Sequence, residues 1–208
     1  MKIVTYNIHK GMDKNNKITL LRIIKYLRSL DADVICLQEV LYYQYKIMKI
    51  FLNMNGSFAM NVNRKNLKFG ICTFCKYELL EYRHILLPSK KEQRGFLNIR
   101  TKTIENDEIN IINTHLGLDN LERKEQIIEI LKFSNSLSED TIICGDFNEN
   151  NISMNLYYDI AVNLNKMEIP TFNESRIDYI FFSGNLVPKE YNVGNVNYSD
   201  HFPVIAII

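Results

Sequence analysis

Apolar positions fall in short runs rich in Ile and Val, and polar residues close most of them. Such runs predict strands. They cover Lys2–Ile8, Asp33–Gln38, Ser57–Val62, Phe69–Phe74, Glu81–Leu87, Phe96–Thr103, Glu108–Thr114, Asp140–Cys144, Ile177–Phe182, Glu190–Val193 and Pro203–Ile208. Glu105-Asn106-Asp107 separates two of these runs at hairpin spacing. Helical period appears in Leu20, Ile23, Ile24, Leu27 and Leu30, behind Thr19 as an N-cap. It returns over Leu121–Leu137 through Ile127, Ile128, Ile130, Leu131 and Phe133. Weaker helical patterns cover Leu41–Asn53 and Ile152–Leu164. Strands outnumber helices, and their order is not a strict βα alternation. The pattern predicts an α/β (α+β) chain with sheets covered by helices rather than a simple doubly wound sheet.

Composition narrows the class. With 208 residues and 46% hydrophobic content the chain has room for a sizeable core, which excludes disorder and disulfide-stapled mini-folds. No linker or low-complexity tract interrupts it, and 4 Pro and 8 Gly leave little punctuation, so one domain over residues 1–208 is expected. Lys+Arg 25 against Asp+Glu 24 leaves a net charge of +1. That excludes a globally basic coat for nucleic acid and leaves a local patch open. The four Cys are too sparse for a disulfide scaffold. Two of them form Cys72-Thr73-Phe74-Cys75, but cysteines three apart on a strand face opposite ways, which points to packing rather than zinc or redox chemistry. No apolar run reaches the roughly 18–20 residues of a membrane span. Met1-Lys2-Ile3-Val4-Thr5-Tyr6-Asn7 lacks a secretory pattern, so a cytoplasmic monomer is the expectation.

Polar residues cluster where the expected strands end. Asn7 closes the first and Glu39 the second; His115 closes another; Asp146 and Asn148 follow a fourth in Gly-Asp-Phe-Asn. Asp178 lies in Arg-Ile-Asp-Tyr-Ile-Phe, and Asp200 and His201 precede the last strand. Strand ends place side chains at one rim of a sheet, where a shared site forms. Of the 4 His, His9, His115 and His201 fall in these segments, and His84 reads as structural. Taken singly, each residue has a bland reading: Asn7 is one of 25 Asn, and Glu39 caps the helix that follows. As a set, hard oxygen donors suit Mg²⁺ or Mn²⁺ better than Zn²⁺. An Asp that deprotonates water and a His kept charged by a carboxylate complete the parts for phosphoester hydrolysis.

The ordered segments Thr-Tyr-Asn-Ile-His-Lys-Gly, Leu-Gln-Glu-Val, Asn-Thr-His-Leu, Gly-Asp-Phe-Asn, Arg-Ile-Asp-Tyr-Ile-Phe and Ser-Asp-His-Phe-Pro-Val run from residue 5 to residue 204. Together they resemble the endonuclease/exonuclease/phosphatase superfamily, also called deoxyribonuclease-I-like. The resemblance implies a four-layer α/β sandwich, two mixed β-sheets packed face to face with helices outside, and a Mg²⁺-dependent phosphoesterase site at one rim (Mn²⁺ being an alternative ion). It implies Glu39 as main metal ligand, with Asn7 beside it and Asp200 completing the metal or proton network. Asp146 would activate water and Asn148 would help to hold the phosphate. His201, oriented by Asp178, would bind the scissile phosphate or move a proton. His115 matches a second histidine seen in many members, and Arg94 sits where several place a phosphate-binding arginine.

Substrate is less legible. Abasic-site endonucleases usually carry an acidic residue and a glycine soon after the first Asn, where this chain has Ile8-His9-Lys10-Gly11. Arg83 to Lys102 holds six Lys or Arg (Arg83, Lys90, Lys91, Arg94, Arg100, Lys102) and one Glu, which is either a solvated face or a phosphate-backbone strip. A phosphodiesterase acting on DNA or RNA is the leading expectation. A phosphatase or phosphodiesterase of a small-molecule or lipid head-group phosphate is the alternative. An inactive binding module of the same fold is a second one.

Overall fold

The computed structural model describes residues 1–65 and 67–208. Among the described residues, twelve strands form two six-stranded mixed sheets. The first takes β1 (Lys2–Asn7), β2 (Val34–Leu41), β3 (Asn55–Arg64), β4 (Leu67–Cys75), β11 (Glu190–Val193) and β12 (Val204–Ile207), in the order β11-β12-β1-β2-β4-β3. The second takes β5 (Leu79–Leu86), β6 (Gly95–Lys102), β7 (Glu108–His115), β8 (Asp140–Asp146), β9 (Tyr158–Asp159) and β10 (Asp178–Phe182), in the order β5-β6-β7-β8-β10-β9. Helices α1 (Leu20–Leu30) and α2 (Tyr42–Leu52) cover the first sheet; α3 (Asn120–Ser134) covers the second.

Alternation along the strands builds the layers. Ile3, Val34, Cys36 and Ile71 face Leu97, Ile111, Ile142 and Cys144 between the sheets. Their neighbours face outward: Val4, Tyr6 and Ile35 pack on Ile23, Ile24 and Leu27 of α1, and Ile112 and Ile143 pack on Ile130 of α3. The result is the four-layer sandwich that the resemblance implies. The hairpin is present, with Lys102 opposite Glu108. Cys72 lies in the helix-side core and Cys75 between the sheets, as strand alternation requires, and all four cysteines are buried free thiols. Among the described residues no helix is long and apolar enough to cross a membrane.

One expected helix is replaced. Over Ile152–Leu164 the chain makes a bridge between Met154 and Tyr157, then β9, and only Ile160–Asn163 (α4) is helical. Asn151 and Leu156 take left-handed backbone angles that interrupt a helix, and Asp159 caps α4 by accepting from Ala161 N at 2.9 Å. The apolar spacing there reflects contacts to the second sheet, not a helical face.

Topology sets the functional rim. β1 and β2 run parallel through α1, and β7 and β8 run parallel through α3. Their C-terminal ends therefore point the same way within each sheet. The antiparallel neighbours β6 and β10 begin where β7 and β8 end: Gly95 pairs with His115, and Asp178 with Asp146. Residues distant in sequence thus meet at one edge.

Candidate active site

Asp146, at the end of β8, is the centre. It is fully buried, and its backbone approach depends on Gly145, whose φ is +142° and where a Cβ would run into the carbonyl oxygen of Thr114. Asp146 Oδ1 accepts from Asn148 N at 2.9 Å and Oδ2 from Asn7 Nδ2 at 2.9 Å. The second bond crosses from one sheet to the other. His115 Nε2 and His201 Nε2 lie 3.5 and 3.6 Å from the same Oδ2. Burial and then the nearby Asp178 push the Asp146 carboxyl up; His201 and the bonds from Asn7 and Asn148 oppose the rise.

His201 is held by Asp178, whose Oδ2 lies 2.9 Å from Nδ1. Burial works against a charged ring, but Asp178, with help from Asp146 and Asp200, outweighs it and raises the imidazole to about 10. His201 is a cation at neutral pH. The ring also packs against Phe172, centroid to centroid 4.6 Å, and the two residues share a backbone bridge. Thr171 Oγ1 accepts from both Ile177 N and Asp178 N at 3.1 Å, which fixes the start of β10.

His115 is the opposite case. Burial first, then Arg94, His201 and Lys10, drive its ring far below the ordinary imidazole range. Arg94, 8% exposed, puts Nη1 3.3 Å from His115 Nδ1. A guanidinium only donates, so Nδ1 accepts and the ring proton sits on Nε2, facing Asp146. The turn after His115 is clamped by α3: Gly117 N donates to Gln126 Oε1 at 2.8 Å, and Arg123 Nη1 donates to Gly117 O at 3.2 Å.

The remaining expected residues share this rim. Asn148, left-handed at φ +53°, donates from Nδ2 to Leu116 O at 2.9 Å, so its side chain ties two strand-end loops together. Glu39 follows Gln38, which pairs with Asn7, and a register shift between Leu37 and Val40 turns it out at φ +54°. It does not cap α2; there Leu41 N donates to Gln44 Oε1 at 3.1 Å. Glu39 Oε2 instead pairs with Lys10 Nζ at 3.0 Å. Asp200 Oδ1 accepts from Ser199 Oγ at 3.1 Å and lies 3.8 Å from His9 Nδ1. His84 stands on β5 and meets Asn61 Oδ1 at 2.9 Å, a structural contact.

A hard divalent cation fits this donor set. Asp146, Asp178 and His201 each bring one carboxylate oxygen or ring nitrogen within 4.8 Å of the others. Membership differs from the ligands expected, Glu39, Asn7 and Asp200. His201 is charged and bonded to Asp178, so it offers no lone pair. Glu39 already holds a positive charge in Lys10, and the amide and carboxylate oxygens of Asn7 and Asp200 flank the same rim.

The basic strip is not a strip. Arg83 pairs with Glu81, Lys90 with Asp119, Arg94 with Glu92, and Arg100 with Glu81, Glu108 and Glu139. Lys102 donates to Asn106. Arg100 and Lys102 belong to the end of β6 remote from Gly95, and of the six Arg94 is the one that contacts His115 beside Asp146. Beside it lies a recess of about 300 Å³ lined by Lys90, Lys91, Glu92, Arg94, Asp119 and Glu122, among others. A larger recess, about 640 Å³, opens at the opposite rim near Asp33, Glu108 and Asp140.

Sequence reasoning did not single out Lys10, Thr171, Phe172 or Gln44. Lys10 stood inside the first quoted segment, and its charge was the available signal. Thr171 and Phe172 carry none, because their role depends on a bridge to a residue about thirty positions away.

The comparisons agree with the geometry. The Endonuclease/Exonuclease/phosphatase family matches residues 4–201. YbhP of Escherichia coli strain K12, an uncharacterized protein, is 24% identical over 168 residues, covering 71% of this chain. The chain spans about two thirds, 66%, of that relative's length. A mannosyl-6-phosphatase of Bacteroides thetaiotaomicron superposes with TM-score 0.80 at 18% identity, covering 100% of this chain and 98% of the other. A humanized D. rerio TDP2 superposes with TM-score 0.83 at 20% identity, covering 99% and 97%. At these identities the superpositions establish the fold. Members of the matched family hydrolyse phosphoesters and depend on divalent metal ions. With a match over nearly its whole length, a shared sandwich and the strand-end acids and imidazoles gathered at one rim, the chain belongs to the Endonuclease/Exonuclease/phosphatase family.

Proposed function

We propose that the protein is a Mg²⁺- or Mn²⁺-dependent phosphoester hydrolase whose water is activated by Asp146. The observation that carries this reading is the chain of contacts Asp178–His201–Asp146–Asn7, with His115 and Arg94 on the other flank. A carboxylate with a raised proton affinity is suited to take a proton from water at neutral pH. The charged His201 then donates a hydrogen bond to a phosphoryl oxygen, or a proton to the leaving oxygen. Arg94 adds a fixed positive charge for the phosphate. Glu39, Asn7 and Asp200 would hold the divalent ion, whose chemistry is to neutralise phosphate charge and polarise the ester.

Two substrate classes compete. A phosphodiester of nucleic acid fits the nucleases in the family's description, but the ion-paired cations around β5 and β6 contribute little to it. A compact phosphoester is favoured by one observation: the recess beside Arg94 is small, and its paired charges offer hydrogen-bond donors and acceptors rather than net positive charge. The mannosyl-6-phosphatase likeness points the same way. A monomer in the cytoplasm completes the proposal.

The test is a panel of abasic duplex, single-stranded DNA, RNA, sugar phosphates, inositol phosphates and phospholipids, each with Mg²⁺, Mn²⁺ or EDTA. Turnover that EDTA abolishes is expected on at least one of them. No turnover on any phosphoester with either ion overturns the reading.

A further inference from the structure

The most unusual contact at the rim is the pair between Lys10 and Glu39, 3.0 Å from Nζ to Oε2. Both residues stand on left-handed backbone. Lys10 is at φ +53° between His9 at +43° and Gly11 at +71°, and Glu39 is at +54° on its bulge. Neither is a residue type that visits this region readily, and such conformations persist only where the surroundings hold them. Here two buried side chains hold the Lys10 turn. Gln44, on the first turn of α2, donates from Nε2 to Lys10 O at 2.6 Å and accepts from Leu41 N at 3.1 Å. It thereby ties the Lys10 turn to the segment that carries Glu39. Asn7 Oδ1 anchors the other side by accepting from His9 N at 3.0 Å.

The ammonium is well placed for exchange. Lys10 and Glu39 are 34% and 20% exposed, so the pair is partly solvated and weakly held. Lys10 Nζ also lies 5.2 Å from the centre of the Phe69 ring, a second favourable position for a cation. Its charge also opposes protonation of His115, as that of Arg94 does more strongly. A lysine suits this use because its charge is compact and its stem flexible.

We propose that Lys10 is an internal counter-cation for Glu39: it occupies the carboxylate that the divalent ion requires, gives it up when the ion binds, and then serves the substrate phosphate. Lys10 is therefore a phosphate-binding and specificity-determining residue that sets metal affinity and phosphate affinity in opposite directions. This rests on the reading of Glu39 as a metal ligand. An ion entering beside a fixed ammonium meets repulsion, and one replacing it must first break the pair, so the charge on Lys10 weakens metal binding. Once displaced, the same charge is free for the substrate phosphate that the ion binds.

The test measures binding, not turnover. Mn²⁺ is titrated into metal-free wild type, Lys10→Met and Lys10→Gln, with free Mn²⁺ read by electron paramagnetic resonance. Inorganic phosphate is then titrated into each Mn²⁺-saturated protein by calorimetry. Lys10→Met is expected to bind Mn²⁺ at least tenfold more tightly and phosphate at least fivefold more weakly. Glu39→Gln, made in both backgrounds, is expected to abolish the difference in Mn²⁺ affinity. Should Lys10→Met fail to fold, Lys10→Gln reads the same two quantities with a polar stem. Unchanged or weaker Mn²⁺ binding in the folded variant overturns the proposal, as does unchanged phosphate binding, or a difference that survives Glu39→Gln. If wild type hydrolyses phosphoesters while Lys10→Met binds Mn²⁺ no better, only this inference fails. If wild type hydrolyses none, the functional reading fails and the Mn²⁺ comparison still stands.

Discussion

The Nε2 atoms of His115 and His201 lie 3.5 and 3.6 Å from one and the same oxygen of Asp146, yet only His201 is charged. Both rings are buried, and burial disfavours charge in each. The difference lies behind them: a carboxylate, Asp178, on Nδ1 of His201, and a guanidinium, Arg94, on Nδ1 of His115. One site thereby holds a cationic donor and a neutral donor around a single carboxylate, which is the asymmetry that proton transfer needs.

With Asp146 as the proposed base, Asp146→Asn should lower kcat on bis-p-nitrophenyl phosphate by about 10²–10⁴-fold, the usual loss for a general base. The same change should not destabilise the fold. A carboxyl whose folded value is raised from 3.8 to about 7 gains protons relative to the unfolded chain, so its ionisation becomes costly as pH climbs through that interval. At pH 8, in EDTA, the melting temperature of Asp146→Asn should equal or exceed that of wild type. A marked loss would contradict the burden placed on this carboxylate.

The Asp178–His201 pair should show in the pH dependence of stability. His201 keeps its proton up to about 10 in the folded chain and releases it near 6.5 when unfolded. The contribution is therefore complete below pH 6.5 and disappears as pH rises through about 10. Asp178→Asn, which removes one partner of a buried pair, should cost about 3–5 kcal/mol near pH 6. Urea titrations of metal-free protein from pH 6 to 10 should show that gap narrowing, and an NMR titration should show His201 falling toward ordinary values in the variant.

Arg94 and Arg100 separate reaction centre from surface. Arg94→Ala should lower kcat/KM by about 10²–10³-fold, as loss of one positioned donor does, with Arg94→Lys recovering only part because an ammonium lacks the planar fork. Arg100, engaged by Glu108 at 2.9 Å at the far end of β6, should leave kcat/KM unchanged when replaced by Ala. Steady-state kinetics on one substrate decides both.

Phe147 tests the packing under the site. It is fully buried, with Tyr179 and Phe181 edge-on at 5.4 Å. Phe147→Ala should cost about 3–5 kcal/mol by urea denaturation. Because the next residue back is Asp146, activity should fall further than the loss of folded protein accounts for.

Much of this was readable along the chain. Eleven of the twelve strands follow from Ile- and Val-rich runs, since alternation toward a core leaves a local imprint. β9 did not, having two residues, and the helix expected over Ile152–Leu164 failed because the backbone turns left-handed at Leu156 and Asp159 caps only the short α4. The strand-end residues were visible for the same reason as the strands: each motif is a short stretch with its polar residue at the close.

What local pattern could not hold is charge state and pairing. Nothing near His115 or His201 in the chain says which one is cationic; that comes from Arg94 and Asp178, each more than twenty positions away. Likewise the six cations from Arg83 to Lys102 look like one face in order, but strand direction carries some to the far rim and supplies carboxylates to most. Burial cost and Coulomb attraction depend on distance in space, and only the folded sheets set those distances. The linear order of residues specifies layers, strands and an inventory of reactive groups; folding assigns each group its neighbours, and through them its proton.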